Sequence, residues 1–190
     1  EEANTSDLSL SEIDERVVAR LGAHPEVKSV SRMIMGVASA PGLPFFLIYG
    51  LELHEDQIKH YRITEGRVMQ REGEIIIGKF TASSLRKSVG DTIRIVGSTY
   101  RIVGVYENGS TYEDAGGTVL LDDAQRLFNK PRKVSLLAIT LNDPSRADEI
   151  AKQLEAEFPE LLIAKASEFA NRLQDFQSTY AMLNALILIT

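Results

Sequence analysis

Three short runs between residues 73 and 106 decide how this chain can fold: Gly73-Glu-Ile-Ile-Ile-Gly78, Asp91-Thr-Ile-Arg-Ile-Val96 and Tyr100-Arg-Ile-Val-Gly-Val-Tyr106. Each run is rich in β-branched residues and is flanked by turn-forming residues, a composition typical of strands. Gly97-Ser98 separates the last two runs and predicts a two-residue hairpin turn of type II′, with Gly97 in its first central position. With a short helix predicted over residues 81–88, these strands form a small β-rich unit in the middle of the chain.

Upstream of this unit the sequence predicts a helix and two strands. The helix covers residues 9–22, where apolar residues recur at helical spacing. A strand over residues 27–37 follows. A second strand covers residues 45–51, a continuous apolar run that predicts burial on both faces or a position at a contact surface.

Downstream of the β-rich unit, helices and strands alternate. The predicted elements are a strand (118–121), a short helix capped by Asp122, a strand (134–141), a helix opened by Asp143-Pro144, a strand (161–165) and a helix from Ser167. The last helix carries an apolar stripe at Phe169, Leu173, Phe176, Tyr180, Leu183 and Ile187.

This element order predicts an α+β fold. The two ends of the chain can close one mixed α/β subdomain, ordered α-β and β-α-β-α, around an inserted β-rich subdomain. The expected divisions are 1–44 for the first half of the α/β subdomain, 45–132 for the insert and 133–181 for the second half. Residues 182–190 predict the start of a transmembrane helix, because this run is apolar and a full span needs about 20 such residues.

The composition argues against several classes of function. A net charge of −6 and a pI near 5.2 argue against nucleic acid as a partner, because phosphate binding needs clustered Lys and Arg. The 190 residues include no cysteine, which removes disulfides, thiolate catalysis and cysteine-based zinc sites. The sequence lacks the Gly-x-x-x-x-Gly-Lys-Ser/Thr loop that cradles nucleotide phosphates, so we expect ATP to be hydrolysed by another chain or domain.

The polar clusters predict no catalytic or metal site. Residues 52–60 contain two histidines and several carboxylates, but His54 and His60 are six residues apart and would lie on different faces of a helix. Glu113 and Asp114 are adjacent carboxylates in a predicted loop, an arrangement that is usually solvated. No nucleophile elbow and no Ser-x-x-Lys pattern occurs. We therefore expect no catalytic residue, no metal, no cofactor and no enzyme activity.

Phe45, Phe46 and Tyr49 are the candidate contact residues of the apolar run. They would line a groove for an apolar substrate or belong to the core of the domain. The second interpretation is favoured, because an apolar run between turn residues is the usual pattern of a buried strand.

From residue 46 to residue 128 the order of motifs resembles the MacB-type periplasmic core domain, which lies between the first two spans of FtsX-like ABC transporter permeases. The motifs are Phe46-Leu-Ile-Tyr-Gly-Leu-Glu-Leu53, Tyr61-Arg-Ile-Thr-Glu-Gly-Arg67, Gly73–Gly78, Val89-Gly-Asp-Thr-Ile-Arg-Ile95, Tyr100–Tyr106 and Leu120–Phe128. One departure is Val30-Ser31-Arg32-Met33, where many members carry a proline after Val-Ser.

The resemblance implies an extracytoplasmic domain of a permease in the cell membrane, with the α/β subdomain beside the membrane and the β-rich subdomain farther out. Such a domain would couple cytoplasmic ATP hydrolysis to movement or release of a substrate outside the membrane. The implied partners are a separate ATP-binding subunit or domain, a second permease copy, and an extracytoplasmic protein or cargo. The final helix would continue into a membrane span, which makes Leu173, Phe176 and Tyr180 candidate coupling residues.

Two alternatives stay open. A cargo- or partner-binding module, such as a receptor for a lipoprotein or peptide, would be favoured by an apolar groove that stays open around residues 45–51. An unrelated soluble enzyme would be favoured by convergent polar groups with shifted pKa values in a deep pocket.

Overall fold

The computed structural model describes residues 11–53, 58–109 and 113–164. The strands are β1 (Ile13–Asp14), β2 (Val27–Ala40), β3 (Leu43–Leu51), β4 (Ile63–Gly66), β5 (Glu74–Gly78), β6 (Thr92–Ile95), β7 (Ser98–Tyr106), β8 (Gly117–Leu120), β9 (Lys133–Val134) and β10 (Leu136–Leu141). The helices are α1 (Arg16–Gly22), α2 (Lys79–Leu85), α3 (Leu121–Leu127) and α4 (Ala147–Glu157), with 3-10 turns at Glu113–Ala115 and Pro144–Arg146. The expected α+β class is confirmed.

One mixed sheet of eight strands runs through most of the described chain. Its order is β10-β2-β3-β8-β5-β7-β4, with β6 paired to β7 beside that path. The β3–β8 and β5–β7 pairs are parallel and the others are antiparallel. The expected boundary between residues 44 and 45 lies inside β3, and the sheet continues across it; the division into subdomains stays a prediction.

The four described helices pack on the same face of the sheet. Their apolar residues join one core cluster with Phe46 and Ile48 of β3, and the helical members include Leu21, Ala82, Leu85, Leu121, Ala124, Ile150 and Leu154. Burying each large apolar side chain of this kind stabilises the fold by about 1.5–3 kcal/mol. The helix-bearing face therefore holds the main core.

The helix predicted over residues 9–22 is wrong at its start. Ile13–Asp14 form β1, which pairs with β9, and α1 begins only at Arg16. The carboxylate of Asp14 accepts hydrogen bonds from the backbone N–H and the guanidinium of Arg16, both at 2.9 Å. This local turn competes with helix formation, while burial of Ile13 opposite Val134 favours the strand.

The hairpin turn between β6 and β7 also differs from the prediction. Ile95 pairs with Ser98, so the two turn residues are Val96 and Gly97 rather than Gly97 and Ser98. Their φ angles are +45° and +85°, which is a type I′ turn instead of type II′. The sequence favours a turn at Gly97-Ser98 because β-branched residues such as Val96 rarely adopt a positive φ.

Two further expectations near the C-terminal side were partly met. Asp143 accepts a hydrogen bond from the backbone N–H of Ser145 at 3.0 Å and Pro144 follows it, as predicted, although a 3-10 turn precedes α4. The strand predicted at 161–165 is wrong for residues 162–164, since only Leu161 makes an isolated bridge. The backbone N–H of Leu161 bonds to the carbonyl of Phe158, so this part of the chain forms a turn after α4.

Across the described ranges no helix combines the length and the apolar character needed to cross a bilayer. The final helix from Ser167, the candidate coupling residues Leu173, Phe176 and Tyr180, and the transmembrane start at 182–190 lie outside those ranges.

Candidate interaction surface

Strand β3 is buried on both of its faces. Phe46 and Ile48 point to the helix-bearing face and are 0% exposed. Leu47 and Tyr49 point to the opposite face and are 4% and 8% exposed. By the same alternation Phe45 shares the face of Tyr49. The predicted burial on both faces is thus observed, and the three aromatic candidates are divided between two faces.

On the face opposite the helices, β2 and β3 together form an apolar strip. We call it the β2–β3 strip, and it consists of Met33, Met35, Val37, Leu47 and Tyr49. Met35 is paired with Tyr49, and Val37 with Leu47, in the antiparallel register. Directly paired residues lie side by side on one face of a sheet, so these contacts follow from the register.

A hydroxyl group fixes the middle of the strip. The backbone N–H of Met35 donates to Ser135 Oγ at 3.3 Å, and Ser135 Oγ–H donates to the Met35 carbonyl at 3.2 Å. Ser135, which is buried, lies between β9 and β10. It therefore holds the edge strand β10 in register with β2.

A second apolar cluster lies beside the strip on the strands β5, β7 and β8. Its members include Met69, Ile76, Val103 and Tyr106, with Tyr61 and Ile63 packed against them. The rings of Tyr61 and Tyr106 meet edge to face with centroids 4.9 Å apart, and Thr118 Oγ1 donates to the Tyr61 hydroxyl at 3.1 Å. Residues around Tyr61–Met69 thus cover this neighbouring part of the face.

Tyr106 is enclosed in this cluster. Burial, reinforced by the nearby Tyr61, Tyr49 and Asp114, raises the pKa of the Tyr106 hydroxyl well above its ordinary value. The phenol therefore stays neutral and contributes packing and hydrogen bonding rather than proton transfer.

An ion-pair network ties the interior of β2 and the residue after β3 to the turn before α1. Arg32 Nη2 lies 2.5 Å from Glu52 Oε1, and Arg32 Nη1 lies 2.9 Å from Glu15 Oε1. Glu15 also accepts a hydrogen bond from Gln125 Nε2 of α3 at 2.8 Å. The hydrogen bond to Glu52 is the main cause that raises the pKa of Arg32. The three charged groups connect β2, the residue after β3, and the turn before α1.

Glu74 is a buried carboxylate that forms a second group of ion pairs. Its carboxylate is 2% exposed and accepts two hydrogen bonds from Arg67, at 2.7 and 2.8 Å, one from Arg71 and one from the Gln70 backbone. The Arg67 hydrogen bonds, followed by the other donors, lower the pKa of Glu74 to about 2. The ion pairs hold the connection between β4 and β5 against the sheet.

The polar residues considered as ligands have structural partners. Glu52 is held by Arg32, and the His60 ring meets Tyr61 edge to face at 5.6 Å. Within the described ranges no three of His, Asp or Glu are grouped to hold a metal ion. His54, Glu55 and Asp56 lie outside those ranges.

The expectation that Asp114 is solvated is wrong. Asp114 is 8% exposed, and its carboxylate accepts a hydrogen bond from the Asn108 backbone N–H at 2.8 Å. The carboxylate closes the loop between β7 and β8, which gives it a reason to be buried. A loop composition does not show which of its polar groups bonds to the backbone.

The strip was missed in the sequence although its signal is present. Met33, Met35 and Val37 occupy every second position of a predicted strand, and Leu47 and Tyr49 do the same in the next. Each set by itself looks like ordinary strand alternation. Only the register of β2 against β3 joins the two sets into one surface. All five side chains of the strip are apolar, a composition that suits contact with another apolar element.

Comparison with known proteins identifies related domains. A sequence profile described as the MacB-like periplasmic core domain matches residues 2–157. Comparison with curated proteins found no match.

Two solved structures are similar to the chain. The extracellular domain of the ABC-type transporter YknZ from Gram-positive bacteria has a TM-score of 0.61 and 16% identity, covering 84% of this chain and 88% of that one. The periplasmic region of MacB from Actinobacillus actinomycetemcomitans has a TM-score of 0.61 and 9% identity, covering 87% of this chain and 84% of that one. At such identities the likeness establishes a shared fold.

Proposed function

The chain belongs to the family of MacB-like periplasmic core domains, and from this we propose that it is the extracytoplasmic domain of an ABC transporter permease. It couples ATP hydrolysis in the cytoplasm to the movement or release of a substrate outside the membrane. The observation that carries the proposal is the family match over residues 2–157. The domain itself acts mechanically, and the chemistry takes place in another subunit or domain.

The proposal specifies partners and a location. The domain lies on the extracytoplasmic side of the cell membrane, attached to the membrane part of the permease. An ATP-binding subunit or domain supplies the energy, a second permease copy completes the transporter, and an extracytoplasmic protein or cargo receives the motion.

The continuity of the sheet supports a mechanical role. The seven strands from β10 to β4 are hydrogen-bonded in an unbroken series, and β6 joins the sheet through β7. The Glu15–Arg32–Glu52 network and Ser135 brace the β2–β3 part of this sheet. Close-packed interiors transmit strain because they have low compressibility. A displacement applied at β2 and β3 is therefore passed to the rest of the domain.

The burial of β3 favours this role over cargo capture. A receptor for an apolar cargo needs an open groove, whereas residues 46–49 are all buried. Strand β3 therefore belongs to the packed interior of the domain and does not line an open groove.

A distance measurement in the intact transporter tests the proposal. The 190 residues include no cysteine, so Val96→Cys, at an exposed hairpin turn, places one spin label in this domain of each copy. The transporter is reconstituted with its ATP-binding subunit, and the distance between the two labels is measured without nucleotide and with ATP trapped by vanadate. We expect two different distance distributions. Identical distributions would overturn the mechanical role, and the lack of any dipolar signal would overturn a second identical copy.

A further inference from the structure

Two exposed arginines of the β6–β7 hairpin project from the face of the sheet opposite the helices. Arg94 of β6 lies between two buried isoleucines of the main core cluster. Arg101 of β7 lies between Tyr100 and Ile102, which belong to the same cluster. Successive side chains of a strand point to opposite faces. Since the core residues point to the helices, both arginine side chains point away from them.

The two arginines are close neighbours on that face. Arg94 is paired with Thr99, and Arg101 is paired with Thr92, in the antiparallel register of β6 and β7. Arg94 and Arg101 are therefore diagonal neighbours, at a distance of about 7 Å. The two threonines between them are exposed and short, and their hydroxyl groups add hydrogen-bond donors to the same surface.

The carboxylate next to this pair is already saturated. Glu74 lies beside Arg101 in the parallel register of β5 and β7. Its two oxygens accept two hydrogen bonds from Arg67, one from Arg71 and one from the Gln70 backbone. A carboxylate has about four lone-pair positions for such bonds. Glu74 therefore has no acceptor position left for Arg101.

Within the part of the chain that the structure describes, the guanidinium groups of Arg94 and Arg101 form no hydrogen bond or ion pair. Two other carboxylates nearby in the sequence are engaged elsewhere. Asp91 accepts a backbone N–H of its own turn at 2.9 Å, and Glu72 pairs with Arg126 of α3 at 3.0 Å. The two arginines thus form a local positive patch on a chain whose net charge is −6.

The geometry of the patch fits a pair of carboxylates. The planar fork of an arginine binds a carboxylate through two parallel hydrogen bonds. Arg67 shows this arrangement with Glu74 on the same face, at 2.7 and 2.8 Å. In an extended segment, side chains two residues apart share a face and are separated by about 7 Å. This spacing equals that of Arg94 and Arg101.

A short acidic segment fits the patch better than an extended anionic surface does. Recognition of anionic membranes generally uses clusters of roughly four to eight Lys and Arg, whereas two arginines are available here. The net charge of −6 also repels a bilayer or a nucleic acid as a whole. A short segment interacts mainly with charges within a Debye length, about 8 Å at physiological salt, and so with the arginines.

We propose that Arg94 and Arg101 form a docking site for an acidic segment of a partner protein, which binds in extended form with carboxylates at every second residue. Thr92 and Thr99 donate further hydrogen bonds to it. The inference rests on the proposed function, because it gives the extracytoplasmic protein that receives the motion a surface and a chemical character.

A peptide titration followed by NMR tests the site. The probe is a synthetic peptide of repeated Glu-Thr, which carries its carboxylates on one side when extended. It is added to the isotope-labelled 190-residue chain, and the Nε–H signals of Arg94 and Arg101 are followed with the backbone amide signals. We expect saturable shifts at these two arginines and at Thr92 and Thr99. A Gln-Thr peptide of the same length should cause none.

Charge-matched variants show whether the site is specific. Arg94→Gln with Arg101→Gln should weaken binding of the Glu-Thr peptide roughly tenfold or more, because both charge-assisted forks are lost. Both side chains are exposed, so the core is left intact. Lys28→Gln with Lys152→Gln removes the same charge from two exposed positions elsewhere, and the affinity should stay at the unmodified value.

Three results would overturn the site. The first is the lack of shifts at Arg94 and Arg101 with the Glu-Thr peptide, and the second is equal weakening in the two charge-matched variants. The third is binding to phosphatidylglycerol vesicles that requires Arg94 and Arg101 while the peptide does not bind, which would assign the patch to a membrane surface instead.

The two proposals fail separately. Peptide binding is measured in the chain alone, without ATP, membrane or a second copy. Binding of the acidic peptide to the domain of a transporter whose domains do not move would overturn only the mechanical role. Domain movement without peptide binding would overturn only this site.

Discussion

Gly50 of β3 lies directly against Ala124 of α3, and a Cβ atom at Gly50 would overlap the Ala124 methyl group. The same Cβ would also come within 2.5 Å of Ile34 Cγ2. Helix α3 therefore packs so close to β3 that only glycine fits at position 50 without a steric clash. This contact sets the position of the helix-bearing layer, on the face opposite the β2–β3 strip.

Substitution of Gly50 tests this close packing. Gly50→Val should lower the free energy of unfolding by about 2–4 kcal/mol, because α3 has to move away from the sheet or the core becomes overpacked. Urea denaturation of the chain measures the change. Gly22→Ala is the control, since a Cβ there meets nothing within 4 Å; the helical site should gain up to about 1 kcal/mol. Equal midpoints for Gly50→Val and the unmodified chain would contradict the contact.

Acidification should remove the contribution of the ionised Glu74 carboxylate to the free energy of unfolding. Its folded-state pKa of about 2 lies below the ordinary value of 4.5, so the ionised carboxylate stabilises the folded state. This stabilisation is fully present above pH 4.5 and is lost as the pH falls from 4.5 towards 2. Glu74→Gln should therefore be less stable near pH 7, by about 2 kcal/mol, and the difference from the unmodified chain should shrink across that window.

The control for this prediction is Glu72→Gln, which removes an exposed carboxylate paired with Arg126. Its free energy of unfolding should follow the unmodified chain closely at every pH, because exposed ion pairs contribute about 0–1 kcal/mol. A Glu74→Gln deficit that stays constant from pH 7 down to pH 2 would show that the ionised group is not what stabilises the fold.

The turn at Val96 should be open to improvement. Val96 has a φ of +45° and is 60% exposed, although type I′ turns favour Asn before Gly. Val96→Asn should raise the free energy of unfolding by about 0.5–1 kcal/mol, because it relieves backbone strain without loss of packing. Thermal unfolding provides the measurement. Val89→Asn, at another exposed valine without a positive φ, should leave the midpoint unchanged, and a fall in stability for Val96→Asn would contradict the assigned turn.

Local patterns predicted most of the strands. The runs at β5, β6 and β7 are β-branched and bounded by turn residues, and each was placed within a few residues. The burial of β3 on both faces also followed from its continuous apolar run. These features depend on short stretches of chain, so sequence periodicity is enough to find them.

Pairings between distant segments could not be predicted in the same way. β1 is a strand only because Ile13 and Asp14 meet Val134 and Lys133, more than a hundred residues later. The β2–β3 strip likewise exists only when the register brings Met35 opposite Tyr49. Burial of Asp114 depends on one backbone N–H, at Asn108. A single sequence carries no information on such partners until the fold brings them together.

Coupling between ATP hydrolysis and domain movement is tested most directly by combining the spin labels with the double substitution Leu173→Ala, Phe176→Ala in the reconstituted transporter. Each large-to-small change removes apolar surface, worth up to about 1.5–3 kcal/mol when it is buried, from the two candidate coupling residues. The matched control is Asn171→Ala with Ser178→Ala, which should behave as the unmodified transporter does.

The measurement is the distance between Val96→Cys labels with and without trapped ATP, taken beside the ATPase rate of the same preparation. We expect the double substitution to leave basal ATP hydrolysis largely intact and to abolish the nucleotide-dependent change in distance. An unmodified ATPase rate together with an unmodified distance change would contradict the coupling role, because Leu173 and Phe176 would then carry no motion into the domain.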